Sequence, residues 1–106
     1  MPDQVKLVIY TPEPNADQIR QALGQAGAGT IGEYTYCSYS VTGVGRFTPS
    51  TDANPHIGQP GKPESVVEER IEVTCNKDQA PKIIEIIKEV HPYEEVVIDV
   101  YPLLQL

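Results

Sequence analysis

The chain reads as an α+β domain in which strand, helix, strand, strand, helix and strand follow one another. Three observations predict it. Two stretches carry apolar residues at helical spacing, with Ile19, Ala22, Leu23 and Ala26 in the first and Ala80, Ile83, Ile84, Ile87 and Val90 in the second. Shorter stretches rich in β-branched and aromatic residues flank them. Where the second helix gives way to the last strand, His91-Pro92-Tyr93-Glu94-Glu95 packs an imidazole, a phenol and two carboxylates into one turn.

Taken in order, Val5 to Tyr10 is a compact apolar strand, ended by Pro12 and Pro14. Asn15 followed three residues later by Gln18 resembles a capping box for the first helix. Gly27 and Gly29 close that helix as left-handed C-terminal residues. The letters Gly27-Ala28-Gly29-Thr30-Ile31-Gly32 match a dinucleotide fingerprint, but they follow a helix and precede a strand, the reverse of what phosphate binding needs. Tyr34 to Val44 reads as the second strand, and Val67 to Thr74 as the third, where Ile71 and Val73 alternate with Arg70, Glu72 and Thr74. Between them, a loop at about 45–65 holds the four prolines Pro49, Pro55, Pro60 and Pro63; a loop this long in a compact domain is functional or disordered. Asp78 is placed to cap the second helix, with Pro81 in its first turn. Pro92 forces His91 out of helical geometry and ends that helix. Val96, Ile98 and Val100 then alternate with Glu95, Val97 and Asp99 as the fourth strand.

That order is the split-βαβ unit, a ferredoxin-like sandwich with a four-stranded antiparallel sheet and both helices on one face. One domain over residues 1–106 is expected, since the length suits one and 40% hydrophobic residues suffice for one core. Val5, Leu7, Ile9, Val96, Ile98 and Val100 are expected to face the helices. The opposite face would show Val8, Tyr10, Tyr34, Tyr36, Val97 and Tyr101, either buried against another subunit or wetted through the tyrosine hydroxyls.

The net charge of −7, from 15 acidic against 8 basic residues, argues against nucleic acid as a partner, because phosphate binding needs clustered positive charge. No basic cluster suits an anionic membrane surface, and no apolar run approaches the roughly 20 residues that span a bilayer. The polar start Met1-Pro2-Asp3-Gln4 is unlike a secretory signal, and two cysteines are too few for a disulfide scaffold, so a cytoplasmic protein with reduced thiols is expected. Cys37 and Cys75 read as small core residues.

Topology decides which loops meet. The first helix returns the chain to its starting end, so the exit of strand one, the loop between strands two and three and the exit of helix two share one pole. Tyr10 to Asn15, the 45–65 loop and His91 to Glu95 are therefore expected to converge. They bring both histidines, His56 and His91, together with Glu13, Arg46, Asp52, Tyr93 and Glu94. His91, Tyr93, Glu94, Arg46 and Glu13 are the candidate ligand-binding residues, and His91, His56 and Glu94 the candidate metal ligands. The bland alternatives are that His91 caps its helix terminus and His56 is an exposed loop residue. Glu94 and Glu95 alternate and so cannot act as a tight acid pair. No HExxH spacing exists, no serine has a nucleophile-elbow context, and no residue is assigned a catalytic role.

Several ordered blocks carry a resemblance: Ala26-Gly27-Ala28-Gly29-Thr30-Ile31-Gly32-Glu33-Tyr34, Cys37-Ser38, Thr42-Gly43 to Phe47, Ala53-Asn54-Pro55 to Ile57-Gly58, and His91 to Glu95 through Asp99-Val100-Tyr101-Pro102-Leu103. With them the chain resembles the inserted domain of the Nif-three-like proteins, the YqfO group also labelled GTP cyclohydrolase type 2-like, here in stand-alone form. The His-Pro-Tyr-Glu segment is also similar to that of the CutA divalent-cation-tolerance proteins, which share the fold and trimeric assembly of the PII signalling proteins. The di-metal site of the larger Nif-three-like proteins lies in their main domain, so its chemistry does not carry over. The resemblance implies a non-catalytic, oligomeric binding or regulatory module, a trimer before a dimer, with a divalent metal ion or small metabolite held near the convergent loops. Two other readings stay open: a protein-interaction module docking through the open sheet face, and an enzyme using His91 as base.

Overall fold

The computed structural model describes residues 3–106, so Met1 and Pro2 of the polar start lie outside the described residues. Strand β1 (Gln4–Pro12), helix α1 (Ala16–Gln25), strands β2 (Tyr39–Phe47) and β3 (Glu64–Asn76), helix α2 (Ala80–Val90) and strand β4 (Ile98–Pro102) follow in the expected order. They form one antiparallel sheet in the order β2-β3-β1-β4. This is the ferredoxin-like α+β sandwich, and both helices sit on one face because the same alternating residues meet both. Leu7 pairs with Val73 and Val100, and Ile9 with Ile71 and Ile98. Their inward side chains join Ile19 and Leu23 of α1 and Ile83 and Ile87 of α2 in one core. Burial of such side chains contributes roughly 1.5–3 kcal/mol each. No helix among the described residues is long and apolar enough to cross a membrane.

Each helix starts differently from the capped form expected. One-turn 3-10 segments, Glu13–Asn15 and Lys77–Gln79, precede them, and neither Asn15 nor Asp78 makes a side-chain cap. The amides of Ala16 and Ala80 donate instead to the carbonyls of Glu13 and Lys77, so the tightened turn satisfies donors that a cap would have taken. The end of α1 follows expectation. Ala28 N–H donates to Leu23 O and Gly27 N–H to Gly24 O, the paired bonds of a Schellman motif, with Gly27 and Gly29 both at positive φ. Ala28 and Leu23 add the apolar contact beneath it. Arg20 then ties α1 to the sheet, donating to Glu69 at 2.5 Å and to Ser40 at 3.2 Å.

Strand β2 begins at Tyr39, not Tyr34. Tyr34 instead exchanges hydrogen bonds with Ile31 across a tight reversal at Gly32 (φ 56°), and Tyr36 adopts φ 58°. The Tyr36 ring lies where a β-carbon on Gly24 would stand, so it packs on α1. Strand-favouring composition is overridden here because the chain must first turn back under the helix. Tyr34 and Tyr36 are therefore not part of the open sheet face. Val96 and Val97 lie before β4 and are not in the sheet either, and Val100, on the edge strand, is 45% exposed.

Nor is the open face a bare apolar surface. Val8 at its centre is fully buried, within a fence where Lys6 and Arg70 both meet Glu72, at 3.0 and 3.3 Å. Cys75 is in the core, where burial pushes its thiol pKa up. Cys37 is not: it is half-exposed in the α1–β2 connection, because the strand expected to turn it inward starts two residues later.

Candidate functional site

β3 is longer than β1, so its first residues pair only with β2 and the two strands run on as an arm at one pole of the sheet. The segment between them comes back to the turn after α2, where Asn54 meets Glu94. There it encloses a cleft of about 510 Å³ with the exit of β1 and the turn after α2. The three convergent segments expected from topology do meet. Tyr10, Arg46, Phe47, His56, Ile57, Glu68, Tyr93, Glu94 and Val97 are among the residues that line the space.

His91 holds two of these segments together. β4 pairs with β1 only as far as Ile9, and the next carbonyl, that of Tyr10, lies 2.7 Å from His91 Nε2. A carbonyl can only accept, so Nε2 carries the proton. Nδ1 in turn accepts from the backbone N–H of Tyr93 at 3.1 Å. The ring is therefore a neutral imidazole with both nitrogens engaged. Burial lowers its pKa below the ordinary 6.5, partly offset by the Tyr10 carbonyl and by the charge of Glu68. It has no free nitrogen with which to take a proton from a substrate or to ligate a metal ion. The dipole and carbonyl-capping reading of His91 gives way to a cross-link, because the ring bonds a carbonyl of a different element.

Beyond it, Tyr93 donates its hydroxyl to Glu68 Oε2 at 2.6 Å; burial first and the carboxylate second push the phenol's pKa well up, so it stays protonated. Glu68 lies opposite Gly43 in the register, and its side chain reaches this point across Gly45: a β-carbon on Gly45 would stand 1.9 Å from Glu68 Oε1. Glu94 accepts from the backbone N–H of Asn54, at 3.2 and 3.3 Å to its two oxygens, and pins the long loop over the cleft. Replacing Glu94 with alanine is expected to change stability by less than about 1 kcal/mol, since the bond is exposed. Hydrogen exchange at the Asn54 amide should accelerate while the core amides keep their protection.

Of the residues singled out from sequence, the cleft unites Arg46, His56, Tyr93 and Glu94, with His91 behind Tyr93 at a ring separation of 5.1 Å. Glu13 and Asp52 are exposed and do not line it. For the expected metal donors His91, His56 and Glu94, no group of three His, Cys, Asp or Glu among the described residues is arranged to hold a metal ion. Glu68, Phe47 and Gly45 escaped sequence reasoning. The signal for them was the pair Gly43 and Gly45 two apart within a strand, which marks a close approach by something else.

No family model matches the chain. Proteins named GTP cyclohydrolase 1 type 2 homolog do: that of Halalkalibacterium halodurans is 45% identical over 98 residues, 92% of this chain but 26% of that protein. Those of Bacillus subtilis (45% over 100 residues, 94% and 27%) and Mycobacterium tuberculosis (40% over 102 residues, 96% and 27%) agree. The chain thus spans about a quarter of the length of the curated relatives it matches. Among solved structures, a Bacillus cereus protein related to NIF3 superposes with a TM-score of 0.82 at 40% identity, covering 96% of this chain and 26% of that one. The periplasmic divalent cation tolerance protein CutA of Archaeoglobus fulgidus (TM-score 0.71, 17% identity, 96% and 85% covered) and the GlnK–ATP complex of B. subtilis (0.64, 17%, 95% and 82%) share the fold.

Proposed function

Because this chain belongs, through the segment it covers, with the Nif-three-like proteins named GTP cyclohydrolase 1 type 2 homologs, we propose that it is a non-catalytic binding module of the CutA and PII type, self-associating and carrying its ligand at the loop pole. The observation that supports this reading best is the cleft of about 510 Å³ walled by three segments distant in sequence, each tied to another by a hydrogen bond. Ligand sites are concave and mostly apolar with a few placed polar groups, and this one has that character. Neighbours in fold are named for divalent cations and for ATP, which frames the choice between a metal ion and a small metabolite. We favour a metabolite, since His91 has spent both ring nitrogens on Tyr10 and Tyr93.

The test is titration of the chain with Cu, Zn, Mn and common metabolites, followed by calorimetry and by amide shifts. Binding in the millimolar range or tighter, with shifts at Asn54 and Tyr93, supports a site in the cleft; no binding to any of them abandons it. Self-association, as a trimer before a dimer, uses the open sheet face, where Tyr39, Val41 and Tyr101 are exposed beside the charged fence. Light scattering checks this: a monomer at micromolar concentration would favour a different protein partner for that face.

A further inference from the structure

Resting on the reading of the cleft as a ligand site, we infer that its ligand is an organic cation with a flat apolar body, and that Glu68 selects for the charge. The walls are aromatic and apolar: Phe47, Tyr93, Ile57 and Val97, beside Tyr10, whose ring already carries the Arg70 guanidinium 5.8 Å from its centroid. The rings of Phe47 and Tyr93 stand 6.2 Å apart at 59°, offering two differently inclined faces rather than a stack closed on itself. Aromatic faces attract cations through their negative quadrupole, and more strongly where water is excluded.

The charge balance points the same way. Glu68, Glu94 and Glu95 line the cleft against one guanidinium, that of Arg46. Among the described residues no ion pair involves any of the three carboxylates or Arg46. Glu68 is half-buried, fixed by the hydroxyl of Tyr93, and seated in space that Gly45 leaves open. A carboxylate on the wall of an apolar cleft, with no cation beside it, offers a charge-assisted hydrogen bond to one. An ammonium or amidinium group supplies that partner while its body covers the rings. An anionic ligand would meet three carboxylates. A divalent ion would leave the aromatic walls uncovered and keep most of its water shell. The net charge of −7 adds a field that draws cations in.

Benzamidine, its neutral isostere benzamide and the anion benzoate, titrated into the full chain, separate these cases. Benzamidine should bind at least about tenfold more tightly than benzamide. Amide shifts should fall at Tyr93, Asn54 and Phe47, and benzoate should cause none. Glu68→Gln keeps an acceptor for Tyr93 and should abolish the preference for benzamidine with little change in Tm. Gly45→Ala, which pushes the carboxylate aside, should weaken benzamidine by a similar factor through a second route. Equal or tighter binding of benzamide or benzoate with shifts at those amides would overturn the cationic class and leave the site standing. Absence of shifts there with every probe, at millimolar concentration, would overturn both.

Discussion

Exchanging His91 for alanine is expected to destabilise the fold by about 4 kcal/mol, which for a domain of this size lowers Tm by on the order of 15–20 °C. Two groups lose their partner at once. The Tyr10 carbonyl loses the Nε2 donor at 2.7 Å, and the Tyr93 amide loses the Nδ1 acceptor at 3.1 Å. Each unsatisfied group costs about 1–3 kcal/mol where water cannot replace the partner, and the missing ring leaves a void besides. His91 is 7% exposed, so replacement by water is restricted. Two further variants dissect the loss. His91→Asn places an acceptor near Nδ1, and His91→Gln reaches a donor toward the Tyr10 carbonyl, so each should recover part of the stability. Chemical unfolding of the three variants checks this; equal losses in all three would show that ring volume, not hydrogen bonding, dominates.

The same ring makes stability depend on pH. Its pKa in the folded protein lies below the ordinary 6.5, mainly through burial. The unfolded chain therefore binds the proton more readily, and stability rises with pH through that window. The contribution is fully present above about pH 6.5 and is lost as pH falls through the lower, folded value. Protonation at Nδ1 would also set two donors against each other, since Tyr93 N–H already points there. Subtracting the stability of His91→Asn from that of the parent at each pH should give a difference that shrinks below pH 6.5. A difference that is flat across this window would refute the assignment of a neutral imidazole.

Replacing Gly29 with alanine is expected to cost roughly 3 kcal/mol or more. Its φ of +77° is left-handed, and its β-carbon would stand 2.3 Å from the carbonyl oxygen of Cys37. The obstacle is backbone, not a side chain that can swing aside. That backbone is itself fixed, because Cys37 N–H donates to Gly29 O and Gly29 N–H donates to Thr74 O. The α1–β2 connection would have to lift off the end of β3. Gly27→Ala is the control: φ is +93° there but no atom lies in the way, so only the conformational cost of about 1–2 kcal/mol applies. Equal losses at the two positions would mean that the contact with Cys37 is not limiting.

The place of the candidate site was legible because it follows from connectivity. The helical stripes and the Pro92 break put His91, the 45–65 loop and the exit of β1 at one pole, and the cleft lies there. The composition of Tyr34 to Tyr36 misled, because tyrosine and threonine suit a strand yet this segment folds back onto Gly24. Asn15 and Asp78 misled in another way: a short polar residue before a helix is a cap only if its own backbone is extended, whereas Asn15 is helical (φ −97°, ψ −3°) and Asp78 lies inside a 3-10 turn. Glu68 was invisible as a residue of the cleft since strand alternation makes it one more solvent-facing carboxylate.

The order of elements, the faces of both helices and the meeting of three loops are properties of the sequence itself, because periodicity and chain breaks are local and the short connections leave little topological choice. The state of His91, the placing of Glu68 over Gly45 and the exclusion of Tyr34 and Tyr36 from the sheet were decided only by tertiary structure. His91 finds its acceptor 81 positions away and Tyr93 its carboxylate 25 away. Such partners are chosen by strand register and by the seating of α2 on the sheet, and a hydrogen bond forms or fails over less than an ångström.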